Sequence, residues 1–399
     1  MSTQEEQDIR AIVSKGRLDL LIIYHEKGGN LDGYLCYIAA ENGHLDCLKY
    51  LHENGCPWDW CTCTWAAQKG HLACLKYAHE NGCDWGIDTC TEAAKNGHLD
   101  CLEYTHKNGF SWNEQTCEFA AQNNHLDCLE YAHENGCPWC THTCASAAVN
   151  GHLWCLKYAH ENGCPWDEET CILAAENNHI NCLKYAHENG CPWSYETCRE
   201  AARNVSLDCL KYAHENGCPW DEETCTWAAM GGQLECLKYA HENGCPWPET
   251  TCYSLEDYDY YYYPNNNIQL DRHLKCLKYA HENGCPWSTE TCKWFATWGA
   301  INCLKYAHEN GCPWDEETCE KAAKNYNIDC LKYAHENGCP YPQELKSTIV
   351  KNILIPKWRA AVKIRPYILH WIEDTAKTLC TETGTGRKRD YDTFVEDFI

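Results

Sequence analysis

Residues 167–193 read DEETCILAAENNHINCLKYAHENGCPW, and this stretch of 27 residues decides the fold. Asp167 is a candidate N-cap, with Glu168 and Glu169 in the first turn, where the helix dipole favours anions. Cys171, Ala174 and Ala175 follow i, i+3, i+4 and so share one helix face. A polar turn follows, occupied by glycine in most copies, as at Gly97 and Gly151. Cys182, Tyr185 and Ala186 repeat the same spacing, which predicts a second helix with those three residues inward. Asn189-Gly190 supplies a C-cap, Pro192 blocks continuation, and Trp193 is placed to lie across the joint to the next copy.

The pattern recurs along most of the chain. Its histidines are His25, His52, His79, His106, His133, His160, His187, His214, His241, His281, His308 and His335. Each step is 27 residues (52 − 25 = 27) except the one from His241 to His281, which is 40 and therefore contains 13 extra residues. Twelve short helix pairs follow, and neither helix of a pair would persist alone in water. Stacking must supply the missing burial. The expected fold is all-α: a tandem helix-turn-helix solenoid with a helical C-terminal cap. Residues 1–341 would form the array, with an insertion near 253–268, and residues 342–399 the basic cap or tail.

Residues 66–83, AAQKGHLACLKYAHENGC, resemble the ankyrin repeat, whose core reads AAxxGHxxVVxxLLxxGA. The resemblance runs over roughly residues 10–345. An ankyrin repeat has about 33 residues, and the shortfall falls between Trp85 and Cys90, where that family carries a β-hairpin finger. Its Thr-Pro-Leu-His signature is reduced to Thr89-Cys90. The array thus looks like a finger-less ankyrin variant, similar to arrays in giant viruses and some protists. The resemblance implies a scaffold that binds protein partners, host proteins among them, through helix surfaces rather than hairpin tips.

Comparison among the copies separates fixed from free positions. The residues between Thr-Cys and Ala-Ala vary most, and a position just beyond the alanines varies next. All lie on the first helix, off its Cys/Ala stripe. Trp65, Glu92, Phe119, Leu173, Glu200, Arg203, Trp227, Trp294 and Lys321 are the candidate partner-binding residues. Aromatic residues are enriched at binding hot spots. Two readings stand: partner contact, or drift at solvated positions with tryptophan packing locally.

Composition narrows the rest. The 399 residues carry 33 Lys+Arg against 58 Asp+Glu, a net charge of −25. Such acidity disfavours nucleic acid, which needs clustered basic residues, and disfavours an anionic membrane surface. No apolar run approaches the roughly 20 residues of a membrane helix. The opening MSTQEEQDIR is unlike a secretory signal, so a monomeric chain in the cytoplasm or nucleus is the expectation. The 35 cysteines are then expected as reduced thiols that pack as small apolar groups. Their spacings, such as 171, 182, 191 and 198, match no zinc pattern. Cys137-Pro-Trp-Cys140 is a CxxC, close to His142 and Cys144, but it arises where one variable position happens to be cysteine. His-Glu-Asn, with close variants at His25 and His106, occupies all twelve copies, whereas an enzyme needs one site, and His79 with its equivalents is expected in a half-buried slot at a helix end. No enzymatic activity, cofactor or metal is expected.

Two segments depart from the repeat. A tyrosine- and asparagine-rich run over 256–267 reads as a loop, either for recognition or as a tolerated slip. The tail carries Lys346, Lys351, Lys357, Arg359, Lys363 and Arg365, and a cap is its plainest role. Pro342 to Leu345 with Ile349 and Ile353 faintly resembles the start of an F-box-like helix. That resemblance implies an alternative function: an adaptor that brings targets to a host ubiquitin ligase.

Overall fold

The computed structural model describes residues 4–86, 88–247 and 267–341, with side chains from residue 271 in the last stretch. Among the described residues there are 23 helices, from Gln4–Ser14 to Ile328–Glu336, and no strand. The fold is an all-α repeat solenoid. Contacts divide the chain into two compact units, Met1–Pro219 and Trp220–Ile399. The 256–267 run lies almost wholly, and the 342–399 tail entirely, outside the described residues, so the expected cap and the F-box-like segment do too.

The quoted repeat folds as its spacing predicts. Its helices are Glu168–Glu176 and Ile180–Glu188. Asp167 has extended backbone, and its carboxylate accepts from the Glu169 amide at 3.2 Å. Asp59, Asn113 and Asp315 cap their helices in the same way. At the other end Gly190 takes φ +85°. Its amide donates to the His187 carbonyl at 3.0 Å, and the Cys191 amide to the Ala186 carbonyl at 2.9 Å. These two bonds are the Schellman closure of a helix end.

Small side chains make the core. Thr170, Cys171, Ala174 and Ala175 are fully buried on the first helix, as are Leu183 and Ala186 on the second, with Cys182 close behind. One expectation is corrected here. Tyr185 is only half-buried, and Leu183 fills the core position instead. The inward face of the second helix is centred on 182, 183 and 186, which leaves the phenol at the flank, where its hydroxyl finds polar partners. In the first compact unit, first helices pack side by side, Glu114–Gln122 on Thr141–Val149 and that on Glu168–Glu176. The alanine pairs, Ala120 with Ala121 and Ala147 with Ala148, permit this close approach.

A second contact locks many of the repeats to the one before. Gly70 has φ +73°, and a Cβ there would sit 2.5 Å from the ring of His98, one repeat on. The corresponding His44 ring donates from Nε2 to the Ser14 carbonyl at 2.9 Å. Burial holds His71 and His152, at the same position, below the ordinary histidine range. In one repeat the glycine is replaced by Val205, an exposed β-branched residue at φ +67°.

In the second compact unit, the 13-residue insertion leaves the joint intact. His241 Nδ1 lies 3.2 Å from the Tyr279 hydroxyl, 38 residues away. Elsewhere the same pair is 25 residues apart, as for His52 and Tyr77. The difference, 38 − 25 = 13, is the whole insertion. His273 Nε2 likewise reaches the Met230 carbonyl at 2.8 Å.

The left-handed positions give opposite predictions. Val205→Gly relieves a strained backbone and should raise stability by about 1 kcal/mol. Gly70→Ala should lower it by roughly 1–2 kcal/mol from backbone strain alone, with the His98 contact adding to the loss. Urea midpoints of the two variants should move in opposite directions, and a common direction would refute the assignment.

Candidate functional site

Residues identical from copy to copy are consumed by the joints. His52 stacks on Trp58 at 3.9 Å and 12°, and its Nδ1 lies 3.0 Å from the hydroxyl of Tyr77 in the following repeat. Trp58 meets the same tyrosine edge-on at 6.1 Å. The trio recurs as His106, Trp112 and Tyr131, as His160, Trp166 and Tyr185, and as His308, Trp314 and Tyr333. Ring nitrogen and phenol share one hydrogen bond at the His52, His106 and His308 joints, whereas the Tyr185 hydroxyl donates to Glu161 at 3.3 Å. Lysines one repeat back sit over several of these phenols, Lys76 over Tyr104 at 5.4 Å for example. The asparagine of each His-Glu-Asn closes its own helix, as Asn54 does by donating to the Tyr50 carbonyl at 2.7 Å. The repeated motif is therefore architecture: a ladder of hydrogen-bonded rings along the second helices of each compact unit.

The cysteines are packing groups. None of the 33 described cysteines is in a disulfide, and all but Cys61 and Cys140 are buried. Burial pushes the Cys182 thiol up to about 11 and the Cys101 thiol up to about 12. The thiol of Cys191 donates to the Asp167 carbonyl at 3.1 Å, which ties the inter-repeat loop to the start of the first helix. Cys137 makes the same bond to Asn113 at 3.2 Å, so the CxxC has its first cysteine committed to the loop. Cys140 lies 3.5 Å from His142 Nδ1. Among the described residues, no group of three or more His, Cys, Asp or Glu side chains is placed to hold a metal.

The candidate residues all lie on first helices. Trp65, Glu92, Phe119, Leu173, Glu200 and Arg203 belong to the first compact unit, and Trp227, Trp294 and Lys321 to the second. Lys321 is exposed and the other eight are half-buried. They do not converge on one pocket. Instead, variable positions of adjacent repeats touch each other. Trp65 meets Tyr37 at 5.3 Å and 72°. Glu92 accepts from Gln68 at 2.7 Å and faces Lys95 at 3.8 Å. Lys95 in turn lies over Phe119 at 5.2 Å. Burial raises the Glu200 carboxyl above its ordinary range while nearby Arg203 opposes that shift. Trp294 is parallel to Trp298 at 6.4 Å.

Two features of this face lie outside the nine candidates. Tyr34 and Tyr37 gather aromatic surface near Trp65, with Tyr34 61% exposed. In the second compact unit the buried Lys293 ammonium reaches Glu290 at 3.0 Å and Asp315 and Glu317 at 3.2 Å each. The hydrogen bond to Glu290, with those to Asp315 and Glu317, holds this lysine above its ordinary range. Asp315 and Glu317 begin the next first helix, so Lys293 clamps two repeats together.

Residues 35–110 match a family model for ankyrin repeats in three copies, and residues 90–133 match one for ankyrin repeats in many copies. The matched repeats are ankyrin repeats. No curated protein matches the chain. Among solved structures, the crystal structure of the human ASB11 ankyrin repeat domain is similar at 20% identity and a TM-score of 0.36, covering 41% of this chain and 85% of that one. Ankyrin repeats are in general protein–protein interaction modules. Ankyrin-repeat proteins are typically non-enzymatic scaffolds.

Two measurements test this picture of the helical array. Tyr104→Phe removes the hydroxyl that meets His79 at 2.9 Å and should cost about 0.5–1.5 kcal/mol. In a cycle with His79→Ala the two losses should be non-additive, and full additivity would show that the contact carries nothing. Alkylation of the native protein at pH 8 should modify Cys140 well before Cys74, Cys101 or Cys182, as peptide mass spectrometry would reveal. Uniform rates would contradict the buried-thiol packing.

Proposed function

We propose that this protein is an interaction scaffold whose first-helix surfaces bind partner proteins. The observation that carries the reading is the contrast within each repeat. Residues on the second helix and in the loop are copied almost unchanged and are tied into the joints. The first helix presents half-buried aromatic, acidic and basic residues that differ from copy to copy. A repeating frame with a changing display suits recognition of an extended partner surface. Helix faces are the contact elements because each repeat passes to the next through a short loop, without the hairpin of the longer ankyrin form.

The reading includes a single chain acting on protein partners, host proteins among them, in the reducing cytoplasm or nucleus. Thiols neighbour one another in pairs along the array, as Cys171 does Cys191. In an oxidising compartment such pairs would be drawn toward disulfides.

The test compares the intact chain with a variant carrying Trp65→Ala, Phe119→Ala, Trp227→Ala and Trp294→Ala in a pull-down from cell lysate. A defined partner captured by the first and lost by the second, with helical circular dichroism retained, is the expected result. Identical capture by both would reject the first-helix surface as the contact.

A further inference from the structure

One place on the first-helix face is unlike the rest. Tyr34 and Tyr37 occupy positions that hold no other tyrosine, phenylalanine or tryptophan in the repeats whose first helices are described; the residues equivalent to Tyr37 include Thr64, Thr91, Glu118 and Ala145. Stacking therefore does not require these tyrosines. With Trp65 from the following repeat they line a cavity of about 300 Å³, completed by Gly33, Asp59 and Cys61. The rings stand nearly at right angles in succession: Tyr34 to Tyr37 at 5.8 Å and 89°, Tyr37 to Trp65 at 5.3 Å and 72°. Such a corner offers π-faces and edges on several walls, with room for one long side chain.

The charge around the corner points to the occupant. Asp59 lies in the wall, and Glu41 is close enough to Tyr37 to help raise its hydroxyl above the ordinary range, after burial. Asp32 is nearby on the Arg10 side, at 4.0 Å from that guanidinium. The chain's own cations already use the end rings. Arg10 sits 4.9 Å from the centroid of Tyr34, and Lys69 sits 5.7 Å from that of Trp65. Three carboxylates against two cations leave the surroundings net negative, in a chain of charge −25. Electron-rich ring faces beside carboxylate favour a cation over a neutral group.

We propose that the cavity formed by Tyr34, Tyr37, Asp59 and Trp65 receives a cationic side chain, an ammonium or guanidinium group, of a protein partner. This rests on the protein-binding reading and assigns one anchor point within it. At Gly33 a Cβ would meet the Pro57 carbonyl at 2.9 Å, so glycine there lets the chain's own loop close up against the edge of the cavity. Asp59 has two duties, capping its helix through the Cys61 amide at 3.0 Å and supplying negative charge to the cavity. Asparagine would keep the first and lose the second.

The experiment uses the full chain and saturation-transfer NMR with short blocked peptides. Glycine flanks a central arginine, lysine, trimethyl-lysine, citrulline or norleucine. The three cationic peptides should bind at least about fivefold better than citrulline and norleucine. The variant Tyr34→Ala with Asp59→Asn should lose that preference while its circular dichroism is unchanged. The variant Glu168→Gln, which removes one exposed charge elsewhere, should keep it. Equal binding of norleucine and lysine would mean an apolar occupant and overturn the proposal. Equal loss in both variants would mean diffuse acidity and overturn it as well. If the four-alanine variant loses its partner while the intact chain shows no cationic preference, the interaction surface stands and this cavity is removed from it.

Discussion

A nine-residue helix buries too little of itself to survive, and most described repeats are made of two helices of about that length. Each must therefore lend its apolar face to a neighbour. The side chains are chosen for that loan rather than for a private core. Alanine pairs and cysteines keep first helices close, leucine fills the space behind them, and a histidine ring covers the glycine of the preceding turn. The hydrogen-bonded ladder of histidine, tyrosine and tryptophan secures the second helices. No contact is costly to repeat, because each uses the same residues at a fixed step along the chain.

Much of this was legible. The N-cap at Asp167, the closure at Gly190 and both helix spans follow from residue type and spacing, since they are decided within a few residues. Burial of the cysteines follows from their place on the apolar stripe. Tyr185 was misassigned because i, i+3, i+4 spacing fixes a face only to within one residue's rotation. Leu183 lies as close to its centre. The ring ladder was not legible, because its partners stand 25 residues apart in copies that are nearly identical. Identical copies carry no information about which one touches which. The candidate row was only partly legible. Traced by its Thr-Cys signature it starts at Thr64, and the second repeat lacks that signature, so Tyr34 and Tyr37 escape it. That the variable residues touch one another across repeats needed the fold as well.

The two helix rows consequently divide the labour. Invariance on the second helices makes the frame stiff and indifferent to sequence elsewhere. Variation on the first helices is then cheap as long as each residue suits its neighbours, as Gln68 suits Glu92 and Lys95 suits Phe119. Recognition and stability are thereby drawn from overlapping residues on one face. A surface evolving toward a partner must remain compatible with its own stack.

The same cross-repeat pairs bear on how the chain finds its order. Interchangeable joints let a helix dock onto the wrong copy with nearly native geometry, and such off-register species are kinetic traps. The clamp of Lys293 on Asp315 and Glu317 narrows the choice, since among the other described repeats only those beginning at Asp167 and Asp221 offer the same Asp-x-Glu pair. A misaligned pair there would strand a buried ammonium and forfeit the native alignment's advantage. Residues that look like decoration on a uniform array thus act as keys, making one sequence of docking events preferable to its many near copies.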